Sequence, residues 1–295
     1  MRKLVVLGGA LALSLIAAFT FPGAAALGAP HGEDIATLRN VSSLLFGILA
    51  GFFVAFLLNR FTAIRSLLSR ESSMLMELYR LSQPFGPEFA ARTTELIDTY
   101  LIDRFDGANY FSFTMRGRDS LFGLFDNLDT LPPLTSQNLT SMHRNFVATL
   151  RETIALRRET IVTGTITVSL LQWLPLLLLA TILITSIFAL KSDTALSSFL
   201  SGMLVFTIFT VLYVIKDLSD LNLGGEFLKF ETIERVFDFM GRPRYYPLCH
   251  VREGLVPPGV ERFRLGMGKG RIYSAHIIEV SREQALRHAR GIQEA

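Results

Sequence analysis

Val41-Ser-Ser-Leu-Leu-Phe-Gly-Ile-Leu-Ala-Gly-Phe-Phe-Val-Ala-Phe-Leu-Leu58, followed at once by Asn59-Arg60-Phe61-Thr62-Ala63-Ile64-Arg65, is the stretch that decides the fold. No charge falls between Val41 and Asn59. A helix of about 20 apolar residues is what crosses a hydrocarbon core. Arg60 and Arg65, just beyond it, mark the end that faces the cytoplasm. The stretch holds four phenylalanines, Phe46, Phe52, Phe53 and Phe56, and it places Gly47 and Gly51 four residues apart. Three roles fit such a span: lipid anchor, helix-packing seam or pore lining.

The rest of the composition agrees with a membrane setting. Of 295 residues, 50% are hydrophobic and only 19% are charged. A soluble domain carries about a quarter charged residues. The net charge of +3 is small, and basic membrane proteins usually owe their arginines to topology rather than to nucleic acid. Cys249 is the single cysteine, so no internal disulfide forms. Cys249-His250 supplies two potential metal ligands where a site needs three or four, and an ordinary loop cysteine is the plainer reading.

Working outward toward the N-terminus, residues 4–30 carry no charge behind Met1-Arg2-Lys3. Residues 1–30 fit either a first transmembrane helix over about 4–21 or a signal peptide, with small-residue cleavage sites near Ala24-Ala25-Ala26. The apolar run is longer than the usual signal core of about 7–15 residues, which favours a retained helix. Both readings put residue 30 outside.

Working toward the C-terminus, 41–58 is the second transmembrane helix and 59–165 a cytoplasmic helical region. In its first helix Phe61, Ile64, Leu67, Leu68, Leu75, Leu78 and Leu81 keep a period near 3.6, with Arg60, Arg65, Arg70, Glu71 and Glu77 mostly off that stripe. That helix should stop at Pro84, where Gly86-Pro87 breaks the backbone. Further helices are expected over 88–104 and 119–130. Another begins near Thr135 or Ser136 as cap and continues into the membrane without a break. Thr160 to Leu190 is again uncharged, which sets a transmembrane hairpin of two spans within 168–215, turning at Lys191-Ser-Asp193. The cytoplasmic tail, 216–295, opens with a helix end capped at Gly224-Gly225. It should then form a helix over 226–240, an irregular or short-strand region over 242–272, and a strand over 271–280. Ser281-Arg-Glu-Gln284 is a capping box for a last helix.

The charge distribution tests this topology. Of 29 Lys and Arg, two lie at the N-terminus, twelve in 59–165 and thirteen in 216–295, leaving only Arg39 and Lys191 outside. The inverted orientation is thereby disfavoured. The region 59–165 balances twelve acids with twelve bases, so it lacks the basic footprint of a nucleic-acid-binding domain.

The order is two spans, a helical insert, a two-span hairpin and a tail. Local patterns add to it: Arg70-Glu71 before a leucine stripe and Pro84; Thr99-Tyr100; Leu156-Arg157-Arg158 leading to Leu174-Pro175-Leu176; and Asp220-Leu221-Asn222-x-Gly224-Gly225. Together these resemble the bestrophin-like family of bacterial integral membrane proteins over about residues 41–235. The sequence departs from that pattern at Asp103-Arg104-Phe105, where Glu-Trp is expected, and at Leu223. The resemblance implies an oligomeric anion (chloride) channel, since bestrophins are pentameric anion channels with a hydrophobic neck.

Candidate residues follow. Phe52 and Phe56, with Leu45 and Leu49, are the pore-lining candidates. Aromatic edges carry partial positive charge that favours a dehydrated anion, and a hydrophobic ring gates by dewetting. The same face packs equally well against lipid or other spans. Gly47 and Gly51 form a small-xxx-small face for close helix packing. Arg60, Arg65, Arg157 and Arg158 suit lipid headgroups and, more sharply, an anion-collecting vestibule. Asp217, Asp220, Asn222 and Glu226 lack the spacing of a calcium loop. Gly266-Met-Gly-Lys-Gly270 matches no phosphate-binding spacing. No nucleophile, base and orienting group come together, and no span carries a charged residue of the kind that marks coupled transport.

The fold class expected is an all-α membrane protein: four transmembrane helices, the first of them open to the signal-peptide reading, a helical cytoplasmic insert and a short mixed C-terminal tail. The location expected is the cell (inner) membrane, multi-pass, with the large loop and C-terminus cytoplasmic. Its partners would be the lipid bilayer, further copies of itself and anions such as chloride, with no nucleic acid, no cofactor, no metal and no enzymatic activity. The alternative is a membrane-anchored interaction or regulatory protein whose cytoplasmic helices bind a partner.

Overall fold

A computed structural model describes residues 32–105, 118–133, 136–165, 168–192, 194–221, 231–254, 256–267 and 276–291, with residues 13, 14, 16, 17, 19 and 20. The expected first span, 4–21, therefore lies mostly outside the described residues; those six within it are helical.

The chain is mainly helical. Helix α1 covers Gly32–Ser82, followed by a 3₁₀ turn at Gln83–Phe85, α2 (Pro87–Phe105), α3 (Arg118–Asp129), α4 (Gln137–Thr165), α5 (Leu170–Ala189) and α6 (Ala195–Ser219). After α7 (Glu231–Phe239) come β1 (Tyr245–Pro247), α8 (Leu248–Glu253), β2 (Arg262–Gly266), β3 (Ile277–Ser281) and α9 (Arg282–Gly291). Three of these helices, α1, α5 and α6, are long and apolar enough to cross a membrane.

Two compact units share the chain. The first takes Met1–Phe61 and Thr167–Gly224, the second Thr62–Ile166 and Gly225–Ala295. The first unit has an apolar core of Phe46, Ala50 and Leu57 from α1, Leu176, Ala180, Leu183 and Ile187 from α5, and Val205, Ile208, Ile215 and Leu218 from α6. Arg60 is buried here, and its guanidinium donates to the Ser219 carbonyl at 3.1 Å. That carbonyl closes the last turn of α6, where a cation complements the helix dipole.

In the second unit α1 buries Ile64, Leu67, Leu68, Leu75 and Leu78, as its periodicity requires. The helix stops where expected, and Gly86 turns the chain at φ 106°. Helix α2 packs on α3 closely enough that a Cβ on Gly123 would lie 3.0 Å from a Leu96 methyl. Buried Asn127 ties the pair by donating to the Phe89 carbonyl and, at 3.0 Å, to Thr93 Oγ1.

Two helix ends differ from the sequence reading. Helix α4 does not run on into α5: it ends at Thr165, and a capping box at Ser169 and Gln172 starts a new helix. Helix α6 reaches Ser219 rather than 215, and its end is not a glycine cap. Leu221 itself takes φ 56° with its side chain buried; Gly224-Gly225 lie outside the described residues. Of the helix expected over 226–240, Glu231–Phe239 is formed as α7, and residues 226–230 lie outside the described residues. The region 242–272 has short strands, β1 and β2, as expected, and also a helix, α8, that was not expected.

The tail is a small mixed layer. Strand β2 pairs parallel with β1, Tyr245 opposite Arg264, and antiparallel with β3, Phe263 opposite Val280. Strand β3 starts at Ile277, since 268–275 fall outside the described residues. The Ser281–Gln284 capping box is formed, Ser281 N–H donating to Gln284 Oε1 at 2.9 Å. Arg264 leaves β2 to make a two-pronged pair with Asp98 of α2, both bonds 2.7 Å, and it lies 5.2 Å over the Phe237 ring. This pair is nearly buried, its side chains 12% and 13% exposed. Asp98→Asn should therefore cost about 2 kcal/mol, the range for hydrogen bonds to charged groups. Limited proteolysis of the full chain is expected to show faster cutting near the β1–β2 region in this variant than in the parent protein.

Candidate functional site

Helix α1 presents two opposite faces in its uncharged half. Phe46, Ala50 and Leu57 turn into the core. Leu45, Ile48, Phe52 and Phe56 turn outward, with Phe52 69% and Phe56 49% exposed. Leu49 lies partly buried against the core, so three of the four pore-lining candidates share the outward stripe. Gly47 and Gly51 meet nothing: a Cβ added at either would find no atom within 4 Å. Among the described residues, then, this glycine face forms no seam within the chain. Large aromatic rings left on the surface of an apolar helix require an apolar surrounding: lipid, or another copy of the same face.

The second unit holds an ionic cluster in its interior. Glu71 of α1, Tyr100 and Arg104 of α2 and Arg157 of α4 are 1%, 0%, 2% and 6% exposed. Arg104 donates from Nη1 to Glu71 Oε1 and, at 2.7 Å, to the Tyr100 hydroxyl; that hydroxyl in turn donates to Glu71 Oε1. The Arg157 guanidinium lies 5.3 Å over the Tyr100 ring and that of Arg104 5.4 Å from it, a cation–π arrangement. Burial raises the Tyr100 pKa and the Glu71 carboxylate opposes its ionisation further, so it stays a neutral donor. For Arg104 burial works against the charge, but Glu71 and Tyr100 outweigh it and hold its pKa above the ordinary arginine value.

This cluster gathers residues that the sequence showed separately. Glu71, Tyr100 and Arg157 each belong to one of the local patterns behind the family resemblance, and Arg104 stands where the pattern departs. Glu71 was read as lying off the apolar stripe, yet it falls three residues after Leu68 and four before Leu75. Arg60 falls three after Leu57 and four before Ile64. That spacing puts both charges on the buried face, and it is the signal that could have found them.

The four vestibule candidates are placed differently from one another. Arg60 is buried against Ser219. Arg65 is exposed. Arg157 and Arg158 line a pocket of about 300 Å³ together with Arg118, Leu121, Phe122, Ile154 and Ile161. Arg118 was not singled out by sequence; it lies i, i+4 from Phe122, with its guanidinium 5.4 Å over that ring. Of the acidic group after α6, Asp220 accepts from Lys216 Nζ at 2.7 and 2.8 Å, while Asn222 and Glu226 lie outside the described residues.

With that geometry in place, comparison with known families is informative. A family model described as the Bestrophin-like domain matches residues 5–222. The match covers well over half of the chain, so the chain belongs to the bestrophin-like family. Neither the curated proteins nor the solved structures contain a match.

The buried cluster makes a sharp contrast with the surface pair Arg70–Glu152, which is 3.5 Å apart and about half exposed on both sides. Glu71→Gln strands the buried Arg104 guanidinium and should cost about 3–5 kcal/mol, whereas Arg70→Gln should cost less than about 1 kcal/mol. Replacing the pair together, Glu71→Leu with Arg104→Met, should recover much of the loss. Apparent melting temperatures of the detergent-solubilised variants check the order.

Proposed function

We propose that this bestrophin-like chain assembles with copies of itself into an anion channel of the cell (inner) membrane. The observation that supports it most is the outward stripe of α1. Phe52 and Phe56 form the exposed end of an uncharged, apolar helix whose opposite face is already committed to the core. Copies of that stripe around an axis give a hydrophobic constriction lined by aromatic edges, which tolerates a partly dehydrated anion such as chloride and closes to water when dry. Gly47 and Gly51, which meet no atom among the described residues, give neighbouring copies a place for close approach.

In this reading there are four spans, with residues 59–165 and the tail cytoplasmic, as the distribution of Lys and Arg favours. The exposed Arg65 and Arg158 supply the positive field of the vestibule that collects anions. Arg60 and Arg157, being buried, contribute to it through the helices that they hold. A second reading, a membrane-anchored adaptor, draws on a groove of the second unit where Met76, Leu81, Met142 and Phe239 stand beside Glu77 and Arg80, since methionine side chains adapt to varied partners.

Liposomes carrying the purified protein should show a chloride leak, and Phe52→Ala or Phe56→Ala should raise it several-fold by widening the constriction. Absence of flux, together with a monomer in detergent, would overturn the channel and leave the adaptor.

A further inference from the structure

We infer that the pocket between α3 and α4 binds a phosphate group carried on an apolar body. Three guanidinium groups, from Arg118, Arg157 and Arg158, line a space of about 300 Å³, and no carboxylate stands among its lining residues. Arg118 and Arg158 are both exposed, and an anion held beside them offsets the mutual repulsion of their charges. Guanidinium rather than ammonium groups favour an oxyanion with several acceptor oxygens, because each presents a planar fork of donors.

Two of the three are pre-organised. Arg157 is almost wholly buried and rests against the Tyr100 ring, and Arg118 rests against Phe122. Stacking of this kind limits the rotamers that binding would otherwise have to freeze. The remaining wall is apolar, from Leu121, Phe122, Ile154 and Ile161. Bare chloride would leave that wall without a partner, whereas a phosphate ester with an apolar body uses both halves of the pocket. A phospholipid headgroup and a soluble organic phosphate share this chemistry. The inference does not rest on the channel reading, since all these residues lie in the second unit.

The test uses the full chain. Phenyl phosphate is titrated against the detergent-purified protein by calorimetry. In parallel, co-purifying lipid is compared after incorporation into nanodiscs of phosphatidylcholine with and without phosphatidic acid. Arg118→Gln and Arg158→Gln are the variants, chosen because both side chains are exposed and neither belongs to the buried cluster. Saturable binding of phenyl phosphate, weakened about tenfold in each variant as one charge-assisted pair is lost, supports a soluble ligand. Selective retention of phosphatidic acid, lost in both variants, supports a lipid one. Binding of neither probe, or binding that both variants leave unchanged, overturns the inference.

Discussion

A helix that is uncharged from Val41 to Leu58 and charged at short intervals from Arg60 onward must satisfy two different surroundings with one backbone. Helix α1 does so without a break over Gly32–Ser82. In the first unit it buries Phe46, Ala50 and Leu57, and in the second Ile64, Leu68, Leu75 and Leu78, each set at helical spacing. Because those residues are spent on the cores, the face opposite them meets whatever surrounds the protein. Its character changes at Arg60: bare phenylalanine and leucine before, arginine and glutamate after.

Two charged side chains on the buried face do part of that holding. Arg60 fixes α1 to the end of α6 through the Ser219 carbonyl. Glu71 fixes it to α2 through Tyr100 and Arg104, with Arg157 of α4 stacked on the same tyrosine. A buried ion pair is poor evidence of net stability, because desolvation offsets most of the attraction. Its effect is specificity: a register slip of any of these helices would leave a charge in the interior without its partner. The Asp98–Arg264 pair does the same for the tail, anchoring a three-stranded layer to α2.

What could be read in the sequence was local. The stop at Pro84, the Ser281–Gln284 box and the apolar stripes of α1 to α3 follow from residues a few positions apart, and the structure has them. The break at Ser169 carried an equally local signal, Ser-x-x-Gln, but it sits within a long uncharged run whose hydropathy reads as one helix. The end of α6 is hidden from the sequence for a different reason. Leu221 takes a left-handed conformation with its side chain buried, a backbone state that leucine rarely adopts and that its residue type does not signal. The Glu71 cluster joins residues about 30 positions apart on separate helices. Each of them read alone as a surface charge or a motif fragment. Arg118 entered the pocket for the same reason, since only the packing of α3 on α4 brings it beside Arg157.

Phe52 and Phe56 on the α1 stripe need an apolar partner, and in the proposed channel that partner is a second copy of the chain. The mass of the full-length protein, extracted in mild detergent and weighed by native mass spectrometry, tests that most directly. A single closed assembly of several copies is predicted, and one that Phe52→Lys disperses. A monomer at every protein concentration would contradict it.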